Sequence, residues 1–428
     1  MIIDKQGYSY NDVTIIPSVI SDISSRSECN PFVNKNDNWL PIFTAPMASV
    51  VHFENYETFV DNGIIPIMPR NISLEVRKDL MNDQQWVALS LKEFEDLFIN
   101  NYLDRIGDYR THYFIVVDIA NGHMKSLYDK CKIAKKNAMA GKYKLTIMTG
   151  NIANPDTYEW LCKMNATEII EFGNDKIIDF IRIGIGGGSG CITTSNVSIH
   201  YPQASLIDEC YYIKKKYKDI YYPKIVADGG IRNYDHVIKA LALGADYVMI
   251  GSLFAQCIES AGEKTTKLLS QKIPSRFPIE RYKDFSVDTK GNWTAYYNDK
   301  GIEEAIKPWK DTMEKDKKDW EETKYPHAKS NYEYSEKKYN EKLEELKEQK
   351  ILGEINVKFF GMASADGQKS ISGEKTKTAE GITKYLLVKY TLVGWVENMI
   401  SYLRSAMSYT DSRDLDTFRR CTTCTMTY

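Results

Sequence analysis

A cysteine carried on a glycine-rich turn can hold a thiol beside a phosphorylated small molecule. The run Gly184-Ile185-Gly186-Gly187-Gly188-Ser189-Gly190-Cys191-Ile192-Thr193-Thr194 has that composition. Glycines allow backbone N–H groups to close on a phosphate, and Ser189 adds a hydroxyl donor. Cys191 would then be the nucleophile, provided its surroundings favour the thiolate. Four further groups of chemistry-bearing residues follow apolar runs: Asp118, Gly150-Asn151, Asp228-Gly229-Gly230 and Gly251-Ser252. Acids and glycines at such positions suit hydroxyl and phosphate recognition.

The elements that must position these residues alternate along the chain. Strand-like runs are expected at 41–44, 64–68, 86–90, 113–118, 144–149, 180–185, 224–228 and 246–250, with amphipathic stretches such as 53–60, 124–138, 155–164, 203–216 and 234–243 between them. Near-continuous apolar strands with helical crossovers predict a parallel sheet covered on both faces. Eight such units predict an α/β fold of the (β/α)8 TIM-barrel type, and an open sheet of six or seven strands is the competing architecture. In a barrel the C-terminal strand ends converge on one rim, where small molecules bind, and the loops after strands seven and eight are the usual phosphate site. Here those two loops are Asp228-Gly229-Gly230 and Gly251-Ser252.

Bulk properties narrow the function. The 428 residues are 43% hydrophobic and carry a net charge of −2, which supports a sizeable core and offers no basic field for nucleic acid. No apolar run has the length of a membrane span, and the N-terminus lacks a signal-peptide core, so a cytoplasmic protein without a membrane partner is expected. The eight cysteines are too scattered for a disulfide framework, and Cys421-Thr422-Thr423-Cys424 lacks the two further ligands a zinc site needs. Residues 301–350 contain 12 Lys and 14 acidic residues, a mixture that reads as solvated helices with i,i+4 pairs. Ser335–Leu352 is expected to be one helix with Leu343, Leu346 and Ile351 on its apolar side, and Trp309, Met313 and Trp320 to form a second stripe. The expected organisation is a catalytic barrel over 1–267 and 355–428, interrupted by a helical insertion over 268–354 that packs on the barrel or a partner, or closes as a lid.

Taken in order, these motifs resemble the IMP dehydrogenase and GMP reductase family. The resemblance is carried by Gly184–Thr194 followed by Tyr201-Pro202-Gln203, by Ala227-Asp228-Gly229-Gly230-Ile231-Arg232, by Lys239–Gly251, by Asn11–Pro17, by Asp118-Ile119-Ala120-Asn121-Gly122, by Phe360-Gly361-Met362-Ala363-Ser364, by Glu380-Gly381-Ile382 and by Leu403–Tyr409. It implies a purine nucleoside monophosphate as ligand. Its phosphate would lie on Ser189, Gly230, Gly251 and Ser252, its ribose hydroxyls on Asp228, and its remaining contacts on Met47, Asn151, Gly361, Met362 and Ala363. It implies Asp118, Asn121 and Gly122 beside a nicotinamide, and K+ on the carbonyls of Gly186, Gly188 and Cys191. A homo-oligomer, a tetramer in the family, is implied as well.

The resemblance also separates two reactions. Dehydrogenase members oxidise IMP with NAD and carry a regulatory domain after the second βα unit and an Arg-Tyr pair on a flap. Residues 71–112 have room for one βα unit only, and residues 363–379 contain neither Arg nor Tyr. The reductase reading is therefore preferred: NADPH-dependent conversion of a guanine nucleotide to the IMP-type product and ammonia. In it Cys191 adds to C2, Thr193 and Glu380 help the amine depart, and hydride reduces the adduct. IMP oxidation with NAD is the alternative. From other classes, a nucleotide-binding pseudoenzyme and a flavin-dependent barrel oxidoreductase stay open. The chain departs from the family pattern at Gly187, at Ala48 and Ser49, at Ser195 and at Ser198-Ile199-His200, all near the expected nucleotide, so dGMP or a modified relative of GMP is an expected substrate beside GMP itself.

Overall fold

The computed structural model of the chain describes residues 6–100, 111–168, 175–188, 193–219, 221–266, 275–276, 279–374, 378–379, 381–419, 421 and 423–425. They form two compact units: Met1–Gly262 with Phe359–Lys384 and Leu392–Tyr428, and Glu263–Lys358 with Tyr385–Thr391. In the first unit an outlying strand, β1 (Val13–Ile15), precedes the strands β2 (Ile42–Thr44), β3 (Trp86–Leu89), β4 (His112–Val117), β5 (Lys144–Ile152), β6 (Phe180–Ile183), β7 (Lys224–Asp228) and β8 (Tyr247–Ile250). The last seven form one parallel sheet in the order β2-β8-β7-β6-β5-β4-β3.

The gap between β2 and β3 is closed by residues 64–68. Ile65 bridges Phe43 and Met68 bridges Val87, both parallel. The stave expected there is thus present, reduced to two bridges. Pro66 at its centre has no N–H to give to a ladder. The neighbouring Ile67 N–H donates to the Thr44 hydroxyl at 2.9 Å instead of to a strand carbonyl. The closed ring is a (β/α)8 barrel. The helices between and after its staves are α1 (Tyr56–Asp61), α2 (Leu74–Asn82), α3 (Leu91–Glu95), α4 (Lys125–Ala140), α5 (Pro155–Glu168), α6 (Thr193–Val197), α7 (Gln203–Lys214), α8 (Tyr234–Ala242) and α9 (Ser252–Ala255).

Strand side chains alternate between the two faces of the wall, so each stave contributes every second residue to the interior. Phe43, Trp86, Phe180 and Tyr247 meet there as rings, with Phe43 to Trp86 at 5.4 Å, Phe43 to Phe180 at 5.9 Å and Phe180 to Tyr247 at 5.5 Å. Ala88, Val116, Met148, Val226 and Met249 continue the packed core. Two positions on from Val116 and Val226 stand Asp118 and Asp228, and two on from Phe180 stands Arg182. The same alternation that points rings inward therefore carries three charges toward the C-terminal mouth.

In the second unit, β9 (Lys264–Thr266) pairs with β10 (Ser275–Arg276), and β11 (Tyr282–Val287) with β12 (Trp293–Tyr297). The long helices α10 (Asp299–Thr323) and α11 (Pro326–Lys347) follow, then β13 (Lys350–Gly353), which pairs with β12, and β14 (Ile355–Phe360), which pairs with β9. Trp320 of α10 stacks on Tyr332 of α11 at 5.6 Å. Trp293 is fully buried, its indole N–H donating to the Val388 carbonyl at 3.0 Å. The single helix expected over Ser335–Leu352 is corrected: α11 ends at Lys347, and Ile351 sits in β13 opposite Thr294, 74% exposed. Leu346 is buried, but pairing with β12 captures the backbone from Lys350 onward. The segment expected as helical thus carries a three-stranded sheet, β11-β12-β13, beside its helices.

Late elements return to the barrel unit. They are α12 (Ala365–Ser372), the start of β15 (Thr383–Leu387), α13 (Leu392–Tyr409), α14 (Leu415–Phe418) and β16 (Thr423–Thr425), which pairs antiparallel with β1. No helix among the described residues is long and apolar enough to cross a membrane. Phe43 touches Trp86, Phe180 and Tyr247. Phe43→Ala should lower the stability of the barrel by about 3–5 kcal/mol, read from urea unfolding.

Candidate functional site

A cavity of about 210 Å³ opens at the C-terminal mouth of the barrel, and its lining includes Met47, Gly188, Asp228, Gly230, Gly251 and Ser252. Gly361, Met362, Ala363 and Gly229 complete the wall, with Ala45, Ile231, Met249, Phe359 and Gly381, five residues that did not stand in the expected set. Eight of the residues expected around a nucleotide thus meet at one cavity.

Close backbone packing explains the glycines. A Cβ on Gly187 would lie 3.2 Å from the Gly230 nitrogen, and one on Gly229 would lie 3.2 Å from the Gly188 nitrogen. The loops after β6 and β7 therefore run back to back, and side chains on either would force them apart. Gly229 and Gly230 also hold φ of +94° and +78°, which few other residues adopt. The loop after β7 is braced from the N-terminus. The Tyr10 ring packs on Gly230, and His236 contacts both the Gly230 carbonyl and the Asn11 side chain at 3.0 Å.

The motif residues after the thiol loop act as struts. Gln203 at the start of α7 donates through Nε2 to the Ile183 carbonyl at 2.9 Å, fixing the end of β6. The His200 Nδ1–H donates to the Ile185 carbonyl at 2.8 Å, so His200 does reach the loop. His123, an exposed residue, contacts the Thr157 hydroxyl at 3.0 Å and accepts from the Ala153 N–H at 3.1 Å. On the opposite wall the Met362 sulfur lies 3.5 Å from the Ala48 N–H. Ser364 caps α12 by accepting from the Gly367 N–H at 3.0 Å.

Of the expected site residues, the phosphate-binding Ser189 and the reacting Cys191 and Glu380 lie outside the described residues. Thr193 is the first residue of α6. Gly186 is at φ +79°, and a Cβ there would meet the Thr194 hydroxyl. The Gly122 N–H donates to the Asn151 carbonyl at 3.0 Å, which ties the loop after β4 to the end of β5. The Asn121 side chain accepts from the His123 N–H at 3.0 Å and shapes the same turn. Asn151 is absent from the cavity lining but donates from Nδ2 to both Asp228 Oδ2 and the Gly184 carbonyl at 2.8 Å.

Arg182 and Arg70 were not among the expected site residues. Arg182 Nη2 donates to Asp118 Oδ1 at 3.0 Å, and Arg70 Nε to Asp118 Oδ2 at 3.0 Å. Arg182 Nη1 also stands 3.9 Å from Asp228 Oδ2. The signal in the sequence was a charge in phase with Phe180 inside an apolar strand, where a buried ion has to have partners. Burial alone would push the Asp118 carboxyl up, but the two guanidiniums outweigh it and hold it below its ordinary value. For Asp228 burial prevails: its carboxyl is raised, with Arg182 and Asn151 pulling against the rise and the charge of Asp118 adding to it.

The fold and this cavity define an α/β barrel with paired glycine loops, an acid and a methionine wall at its C-terminal rim. The family model of the IMP dehydrogenase / GMP reductase domain matches residues 103–273. A GMP reductase of Helicobacter pylori is 31% identical over 267 residues, covering 60% of this chain and 73% of the relative. GMP reductases of Pediococcus pentosaceus, 28% identical over 266 residues, and Staphylococcus epidermidis, 28% identical over 278 residues, cover 60% and 63% of this chain, and 73% and 77% of their own lengths. The chain belongs to the IMP dehydrogenase and GMP reductase family.

The raised Asp228 has a stability signature. In the interval above the ordinary carboxylate range the folded state holds that proton more tightly than the unfolded chain, so stability falls as pH rises through it. Asp228→Asn should therefore melt at a higher temperature than the wild type at pH 7, and the gap should shrink as the pH falls below that interval. Calorimetry across pH checks this.

Proposed function

We propose that this protein is an NADPH-dependent oxidoreductase that removes the 2-amino group of a guanine nucleotide, GMP, dGMP or a modified relative, giving the IMP-type product and ammonia. The observation that carries the reading is the meeting of Asp228, Gly230, Gly251, Ser252, Met47 and Gly361–Ala363 at one rim cavity. An acid with two oxygens suits the two hydroxyls of a ribose, and the paired glycine loops bring backbone N–H groups to where a phosphate would lie. The likeness to named GMP reductases favours this reaction over IMP oxidation.

The residues take these roles. The Cys191 thiolate adds to C2 of the purine, and the amino group departs as ammonia once it is protonated. Thr193 and Glu380 form the hydroxyl–carboxylate relay for that proton. Asp228, steadied by Asn151, receives the ribose hydroxyls. Ser189, Gly230, Gly251 and Ser252 hold the phosphate, and Met47, Gly361, Met362 and Ala363 flank the nucleotide. NADPH, when bound, supplies the hydride that C2 receives as the thiolate leaves. Asp118, Asn121 and Gly122 are the residues to hold its nicotinamide. The donor set fits: each Asp118 oxygen bonds one guanidinium and retains a lone pair for a carboxamide N–H. The carbonyls of Gly186, Gly188 and Cys191 are an oxygen set suited to K+. A homotetramer is the assembly proposed with this activity.

The test is NADPH oxidation with GMP and dGMP, beside NAD reduction with IMP. A guanine nucleotide should support turnover, and Cys191→Ala should lower it by about 1000-fold or more. Turnover only with IMP and NAD would overturn the assignment. Replacing K+ by Na+ in the same assay should lower the rate; an unchanged rate removes the cation from the scheme.

A further inference from the structure

We propose that Arg182 couples the two halves of this site, so that a nucleotide at Asp228 and a nicotinamide dinucleotide at Asp118 strengthen each other's binding. The inference rests on the reading above, which assigns the two acids to different ligands.

The geometry is that of one cation shared by two anions. The Arg182 side chain is 4% exposed and lies 3.0 Å from Asp118 and 3.9 Å from Asp228. Asp118 has a second cation in Arg70 at 3.0 Å, whereas among the described residues the other polar partner of Asp228 is the neutral amide of Asn151. Two acids therefore draw on Arg182 unequally, and Asp228 is the under-compensated one. The raised Asp228 and lowered Asp118 agree with this division.

Gly150 makes the sharing possible. It stands opposite Arg182 in the β5–β6 pairing, and a Cβ there would lie 2.9 Å from Arg182 Cβ. Without that atom, the guanidinium crosses β5 to reach Asp118 on the loop after β4. Arg182 Nε is buried and has no hydrogen-bond partner among the described residues. An unmade bond at a buried charge leaves the group able to gain by a small rotation. Ribose hydroxyls donating to Asp228 would meet its demand for positive charge. Arg182 would then be committed to Asp118, which fixes the acceptor offered to the nicotinamide carboxamide. Thermodynamic linkage makes the effect reciprocal.

Arg182 is thus a positioning residue, acting through two acids. The experiment measures GMP binding calorimetrically with and without saturating NADP+, which permits no turnover. In the wild type NADP+ should tighten GMP by about 5-fold or more. Arg182→Lys keeps a cation but loses the planar fork that spans two acids, so the ratio should fall to about 1. Arg70→Lys, at a residue that bonds Asp118 and not Asp228 among the described residues, should weaken NADP+ while the ratio persists. A wild type that binds both ligands independently, or an Arg182→Lys variant with undiminished coupling, overturns the inference and leaves the proposed function standing. A wild type that binds no guanine nucleotide defeats both. Should the variant fail to fold, the wild-type ratio decides.

Discussion

One guanidinium inside a low-dielectric barrel lets two carboxylates occupy the same mouth. Asp118 and Asp228 both lie at the ends of interior-facing runs, and neither could ionise at modest cost with only the other for company. Arg182 stands between them, and Arg70 adds a second cation on the Asp118 side. The balance is uneven, and that unevenness gives the two acids different character: one is secured as an anion, the other held up by burial. A site that must recognise two polar partners side by side gains from such a difference, since each acid is tuned by its own surroundings.

The remainder of the rim serves to bring backbone close to this charge cluster. The loops after β6 and β7 approach so closely that a methyl group on Gly187 or Gly229 would press on the facing backbone, and Gly229 also holds a positive φ. Their positions depend on remote struts: Gln203 on the end of β6, Tyr10 and His236 on Gly230, and Asn151 on Asp228 and the Gly184 carbonyl. The ends of β6 and β7 are therefore held by residues from the N-terminus, α7 and α8 as well as by their own glycines. Below it, the ring cluster around Phe43 fills the barrel and keeps the staves in register.

The second unit is built on different terms. Its core is small, centred on Trp293, Ile306, Leu346 and Ile355, while the outer faces of α10 and α11 are laced with pairs such as Lys318–Glu322 and Lys329–Glu333. Exposed pairs of that kind add little stability each, and stacking of Trp320 on Tyr332 helps hold the two helices together.

Much of this was legible in the chain itself. Apolar runs separated by amphipathic stretches determined the parallel barrel, and Asp-Gly-Gly, Gly-Ser and the glycine-rich run before Cys191 marked strand ends that meet at the rim cavity. These are local signals: a period of two, a period of 3.6, and glycine where backbones must touch. What only the tertiary structure decided is non-local. The stave around Pro66 is thinned to two bridges, and it counts as a stave only because Phe43 and Val87 flank it. Ile351 leaves the expected helix because β12 offers it a partner. Arg182 could be read as an anomaly in a strand, but its role depends on the absent side chain of Gly150 and on two acids 64 and 46 positions away. Electrostatic balance in a closed barrel is a sum over strands, and no window along one strand contains it.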